Sequence, residues 1–432
     1  MRAIEDSLTV SDAQHFDAQA AVALARCKAL SRFTEREGQI LRTFLSPPME
    51  DCHRLFAQWM KATGMHASVD RVGNLHGYYA AANENPSTPR LILASHLDTV
   101  PDAGQYDGIL GVVLGLALVE ALHGRRLSFG IEVIGFSDEE GVRYGVPFIG
   151  SRAVIGTLGP GHLARKDANG VRMATALADY SAAHPDAIDA PLDARTRGYL
   201  EFHIEQGPVL EEENLPLGLV EGIAGQSRAT VTFRGRAGHA GTTPMALRRD
   251  ALAAAAEWLV TLEAAAQATP GLVATTGRIL CEPGAVNVIP GLTRCSLDVR
   301  HASDDVRRAA VEKILASART IAAGRQIAVE HVIELDQAAI ALDTALIAIA
   351  EKAVVAAGVR PLRMVSGAGH DAMILAPHVP SAMIFLRSPG GISHHPDEEV
   401  HVEDVATALR AGLSFLDLFE SHLESESPSC TT

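Results

Sequence analysis

Histidines and carboxylates recur in this 432-residue chain at spacings that can hold a metal or move a proton. His96-Leu97-Asp98 closes a short apolar run and is followed, after a glycine-containing stretch, by Tyr106-Asp107-Gly108. A neutral imidazole can ligate a metal, and a carboxylate two residues on can orient that imidazole from behind. Taken alone, such a pair more often marks a hydrogen-bonded or surface histidine. Asp138-Glu139-Glu140 closes a second apolar run. Adjacent carboxylates repel unless a cation or a shared proton compensates them, so one could hold metal while the other moves protons. A solvated acidic turn is the equal alternative for that triplet by itself. His203-Ile204-Glu205-Gln206 and Gly390-Gly391-Ile392-Ser393-His394-His395-Pro396 complete the set. Ligand-type groups therefore stand at four separate strand ends.

Such groups need a frame. Arg90–Ala94 and Phe129–Phe136 read as buried strands, and the pattern from Gly111 to His123 between them reads as a helix, giving a strand-helix-strand unit. In open α/β sheets ligands gather beyond the carboxyl ends of the strands, where both polar clusters fall. Phe16–Met65 has helical periodicity broken at Ser46-Pro47-Pro48, while Tyr199-Leu-Glu-Phe and SAMIFLR are further strand candidates. From Ala229 the pattern turns β-rich (ATVTFRG, then RCSLDVR), with helical stretches at Asp250–Ala266 and Asp304–Ala323. The expectation is an α/β fold: a larger domain of residues 1–223 and 336–432 with a mixed, mostly parallel sheet flanked by helices, and an inserted α+β domain of residues 224–335. The polar end SESPSCTT reads as a disordered tail.

Composition excludes several function classes. The formal net charge is -15 and no Lys/Arg-rich run interrupts it, which argues against a nucleic-acid partner. The opening MRAIEDSLTVSDAQHFD is polar and acidic where a secretory signal would be basic and then apolar. The longest apolar run, Ile109 to Val119, falls short of the roughly 20 residues of a membrane helix. Five scattered cysteines without CxxC spacing suit a reducing cytoplasm.

In unbroken order from Arg90 to Val402 the chain carries ASHLDTVPDAGQYDGILG, GFSDEEGVRYGVPFIGS, FHIEQGPVLE, GIAGQSRATVTFRGRAGHAGTTPM, EPGAVNVIPG, SLDVR, SGAGHDAM and GGISHHPDE. Together these resemble the zinc-dependent amidases of the hydantoinase/carbamoylase family, the allantoate amidohydrolases and N-carbamoyl-L-amino acid hydrolases, within the aminoacylase and carboxypeptidase clan. The resemblance implies two divalent metal ions per subunit, one held by His96, Asp107 and His203 and the other by Asp107, Glu140 and His394, with Asp107 bridging and Asp98 behind His96. His395 adjoins His394, but the SH-x-P order favours His394. Mixed imidazole and carboxylate ligands suit Zn²⁺ first, and also Mn²⁺, Co²⁺ or Ni²⁺.

The same resemblance makes Glu139 the general base and assigns the substrate to Gln206, His239, Asn287 and Arg300, with Gly390 and Gly391 permitting close backbone approach. Arg300 is expected to fork onto a carboxylate; without the motif, a strand arginine paired with Asp298 would be preferred. His239 is expected to stabilise a developing oxyanion, the alternative being a loop histidine beside a turn. The smaller domain becomes a lid and dimerisation domain that closes over the site, and the protein a homodimer. The implied reaction is hydrolysis of the carbamoyl (ureido) amide of a small carboxylate, releasing ammonia and CO₂. Arg387, which precedes GGISH as in allantoate amidohydrolases, tilts the substrate toward allantoate over an N-carbamoyl-L-amino acid. An aminoacylase or dipeptidase would share the metal ligands but prefer an acid at position 203. A catalytically dead binding protein would be expected to have lost a ligand or the base.

Overall fold

The computed structural model describes residues 10–426, so most of the acidic opening and of the SESPSCTT tail, Cys430 included, lies outside the described residues. Contacts divide the chain into two units. The first comprises the chain up to Glu221, Leu342–Met364 and His370 onward; the second comprises Gly222–Ala341 with Val365–Gly369. The second unit runs past residue 335 because Ile340–Ala341 still pairs with Gly222 and Ile223.

The first unit is built on a mixed sheet whose strands lie in the order His66–Val69, Leu75–Tyr79, Gly130–Phe136, Arg90–His96, Thr196–Ile204, Ser381–Leu386 and Leu217–Ile223. Its four central strands are mutually parallel. Gly130–Phe136 and Ser381–Leu386 are buried along their whole length, as parallel strands covered on both faces must be. Ile109–Ala121 covers part of the sheet and is apolar all round, its residues buried from Ile109 to Val119. Gly108 caps that helix at φ +70°, and a side chain there would collide with the His96 ring. The N-terminal helical region resolves into Val10–Leu30 and Pro47–Ala62, the second starting on the Pro-Pro pair. The closing helix, Val402–Glu426, has no counterpart in the sequence reading.

The second unit is an antiparallel sheet in the order Ile279–Glu282, Leu292–His301, Gly225–Arg234, Ala328–Gln337, with Val273–Thr275 also on Leu292–His301. Burial alternates along Leu292–His301, so one face meets a core of Val231, Phe233, Trp258, Leu297, Val299 and Ile314. The helices Ala251–Gln267 and Asp304–Gly324 supply the other half of that core, and the side chains of Asp250 and Ser303 accept their first free N–H groups. Buried Arg307 is compensated by Asp304, Asp336 and Ser227. Among the described residues no helix is long and apolar enough to cross a membrane.

Candidate metal centre

The parallel strands end at one edge of the first unit, and the ligand-type side chains meet there. His96 ends Arg90–His96, and its Nδ1 lies 3.1 Å from the carbonyl of Asp98. His203, near the end of Thr196–Ile204, points its Nδ1 at the carbonyl of Ile204, 2.9 Å away. Carbonyl oxygens only accept, so both Nδ1 atoms carry the proton and each ring turns an Nε2 lone pair inward. Those two Nε2 atoms are 3.5 Å apart, and the His203 one lies 3.3 Å from Asp107 Oδ1. His394 Nε2 sits 3.0 Å from Asp107 Oδ2 and 3.2 Å from Glu140 Oε1. Two groups of potential ligands result, His96/Asp107/His203 and Asp107/Glu140/His394, with Asp107 common to both.

The electrostatics fit a cation. Burial pushes Asp107 up, but the hydrogen bond from His394 and the neighbouring His96 hold its carboxyl well below the usual range. Burial likewise lowers His203, to about 4, so its ring is neutral and its Nε2 is a donor atom for metal. For His96 burial works in the same direction, yet the carboxylates of Asp98, Glu139 and Asp107 outweigh it and raise the ring well above its ordinary value. A pocket with that excess of carboxylate draws a proton onto His96 unless another cation takes its place.

Glu139 is buried beside this cluster. Desolvation, reinforced by Glu140, Asp371 and Asp98 and opposed by His96, raises its carboxyl well above the usual value. The turn that presents it is held from two sides. Asp98, expected behind His96, stands 3.6 Å from that ring and spends its hydrogen bonds elsewhere: its two oxygens accept the N–H groups of Glu139 (3.0 Å) and Glu140 (3.1 Å). Asn74, fully buried, accepts the Ser137 N–H and donates to Asp70 and to the carbonyl of Gly150. Asp138 sits between them at φ +56°, in the left-handed region. Gln206 (φ +58°) and His394 (φ +56°) share that conformation. Strained backbone of this kind, costing on the order of 1–3 kcal/mol per residue, persists where surrounding structure over-determines it, and it collects at functional sites.

The remaining expected residues divide between the units. In the first, Gln206 Nε2 donates to both oxygens of Asp107 (3.1 and 3.2 Å) and to Ser393. Gly390 and Gly391 form a turn at φ +67° and +63°, where the Gly390 N–H is taken by Glu211. Arg387 forks onto Asp404 at 2.8 and 2.9 Å, which ties this loop to the closing helix. In the second unit, His239 and Asn287 are brought together by pairing of Gly238–His239 with Val288–Ile289. Arg300 forks onto Asp298 and donates to the carbonyl of Gly367, the pairing that its residue type alone suggested.

Sequence reasoning passed over Asn74, Glu398, and the roles of Glu201 and His370, which form a buried group with His203, although His370 lies within the quoted SGAGHDAM motif. Glu201 is buried among Tyr199, Ser95 and the Ala372 N–H, and burial raises it to about 7.

Comparison with known proteins follows this geometry. The peptidase family M20/M25/M40 matches residues 92–417. The chain is 38% identical to allantoate deiminase 1 of Glycine max over 91% of its own length and 88% of the relative's. It is 40% identical to an N-carbamoyl-L-amino acid amidohydrolase of Geobacillus stearothermophilus over 82% and 86%. A hydantoinase/carbamoylase family amidase from Burkholderia multivorans superposes with a TM-score of 0.86 at 29% identity, covering 92% of this chain and 97% of that one.

Proposed function

The chain belongs to the peptidase family M20/M25/M40, and from that premise we propose that it is a dinuclear metal-dependent amidohydrolase of the carbamoyl (ureido) amide of a small carboxylate, allantoate first and an N-carbamoyl-L-amino acid second. The observation that carries this reading is the pair of ligand groups sharing Asp107, with the buried carboxyl of Glu139 beside them. His96, Asp107 and His203 would hold one ion and Asp107, Glu140 and His394 the other, Zn²⁺ being the ion their mixed donor set suits best. When bound, such ions supply Lewis acidity, lowering the pKa of water and polarising a carbonyl.

The protein's own groups do the rest. Glu139 takes a proton from the attacking water as its oxygen bonds to the ureido carbonyl carbon, and returns that proton to the nitrogen when the C–N bond breaks. Ammonia departs, and the carbamate left behind loses CO₂. Gln206, whose amide is fixed by Asp107 and Ser393, faces the reacting group, and His239 stabilises the oxyanion. Gly390 and Gly391 leave room for the substrate, and Asn287 and Arg300 bind it. The reading includes a homodimer, supported by exposed Val332 and Ile333 on the edge strand Ala328–Gln337. It places the reaction in the cytoplasm, supported by Cys27, Cys52, Cys281 and Cys295 being free thiols.

Ammonia release from allantoate, N-carbamoyl-L-amino acids and N-carbamoyl-β-alanine, and acetate release from N-acetyl amino acids, with protein loaded in turn with Zn²⁺, Mn²⁺, Co²⁺ or Ni²⁺, test the reading. Turnover confined to N-acetyl substrates, read as acetate release, would overturn it. A narrower prediction concerns Arg300. If its guanidinium exchanges Asp298 for a substrate carboxylate, Arg300→Lys raises KM sharply, because an ammonium cannot supply two parallel donors. Lysine keeps the charge and loses one charge-assisted hydrogen bond, worth about 1.5–3 kcal/mol, so kcat/KM should fall by about 10-fold or more. Wild type should also discriminate against a neutral amide analogue far more than the variant does. Equal discrimination with a lowered Tm would leave Arg300 as a support for Asp298 alone.

A further inference from the structure

The ligands differ in how firmly the fold seats them. His96 and His203 belong to central strands and are almost fully buried. His394 lies on an irregular loop, its side chain 48% exposed and its backbone left-handed. Something must hold that loop at the right distance from Asp107.

Glu398, on the same loop and only 4% exposed, is placed to do so. Its Oε1 accepts the backbone N–H groups of Tyr106 (2.9 Å) and Asp107 (3.0 Å), while its Oε2 lies 3.3 Å from the donating hydroxyl of Ser393. Its own N–H donates to the carbonyl of His395, 3.1 Å away. Any side chain at position 104 would overlap the Glu398 carboxylate, so Gly104 is what lets the acid reach this backbone. One carboxylate therefore spans two loops that lie 291 residues apart along the chain. Gln206 adds a weaker, parallel link, since its amide touches both Asp107 and Ser393.

We propose that Glu398 is a positioning residue, a clasp that fixes the separation of Asp107 and His394 and so sets the affinity of the Asp107/Glu140/His394 metal site more than that of the site whose other two ligands, His96 and His203, sit on central strands. The proposal rests on the two-metal reading above. Its hydrogen bonds stand one shell outside the ligands, where losing a partner typically costs about 10- to 100-fold in metal affinity.

Metal-free protein titrated with Zn²⁺ against a chelating indicator reads the two equivalents separately. In E398A one equivalent should weaken by about 10- to 100-fold and the other, which shares only Asp107 with the clasp, by clearly less; equal weakening of both would overturn the preference for the His394 site. E398Q keeps an oxygen that accepts both N–H groups and an amide that can meet Ser393, so it should bind both equivalents nearly as wild type does. S393A, which removes only the far end of the clasp, should weaken the same equivalent by less than E398A and supplies the measurement if E398A does not fold. Wild-type binding of both equivalents by E398A and S393A would overturn the clasp. So would an E398Q as impaired as E398A, since charge rather than hydrogen bonding would then be responsible. Fewer than two equivalents in the wild-type protein would instead overturn the two-metal reading, and the clasp with it.

Discussion

Glu139→Gln is expected to lower kcat by about 10²–10⁴ while metal content and fold stay in place. The substitution preserves volume and leaves the Glu139 N–H on Asp98, so the turn keeps its frame. What it removes is a carboxyl able to accept and return a proton. A competing assignment exists in the geometry itself: His96, Glu139 and Glu140 also lie close enough to share an ion. The two roles part under metal analysis. If Glu139 were a ligand, the amide would bind metal poorly and the protein would lose an equivalent along with its rate. If Glu139 moves protons, two equivalents remain and only turnover falls. Near wild-type turnover with both metals present would sink the base assignment.

Asp107→Ala is expected to have the larger effect, abolishing both metal equivalents and taking activity below that of the Glu139 variant. Asp107 is the only residue in both ligand groups, and its two oxygens face different partners, Oδ1 toward His203 and Oδ2 toward His394. Without it, three imidazoles converge with no shared anion to offset a doubly charged ion. Stability supplies an independent readout. A ligand at 100 times its Kd stabilises a folded protein by about 2.7 kcal/mol, so added metal should raise the Tm of wild type and leave the variant's Tm where it is. Retention of even one tight equivalent by Asp107→Ala would show that the two groups are separable.

Much of this site could be read from the sequence because it sits where a parallel sheet puts its chemistry. Arg90–Ala94, Phe129–Phe136 and SAMIFLR are short, predominantly apolar runs, and each is followed by the polar residues that its strand delivers to the edge. Helices with clear caps, such as the one after Asp250, were legible within a residue or so. Ala328–Gln337 was not legible, because its residues are mostly exposed and show no alternation. His66–Val69 is short and partly exposed, and Leu75–Tyr79 is interrupted by His76, which turns out to be buried and paired with Glu132. Residues that act through distant backbone were equally invisible. Nothing around Asn74 announces Ser137, and nothing around Glu398 announces Asp107. Asp98 was found for its neighbour in sequence, whereas its hydrogen bonds go to amides 41 and 42 residues on.

The place of Ser381–Leu386 in the sheet governs when the protein can acquire its ions during synthesis. That strand fills the slot between Thr196–Ile204 and Leu217–Ile223, and it carries the loop with His394 behind it. Chains fold from the N-terminus as they are made. His96, Asp107, Glu140 and His203 therefore emerge long before the slot between their strands and the next can close. On the proposed ligand assignment an emerging chain can gather the first trio, but the second has no third member until residue 394 has been added, and a strand insertion of such long sequence separation is slow. On that assignment full metal loading is a late event in the life of the chain, and a ribosome stalled between Leu386 and His394 would release a protein with the strands of its sheet and only half of its centre.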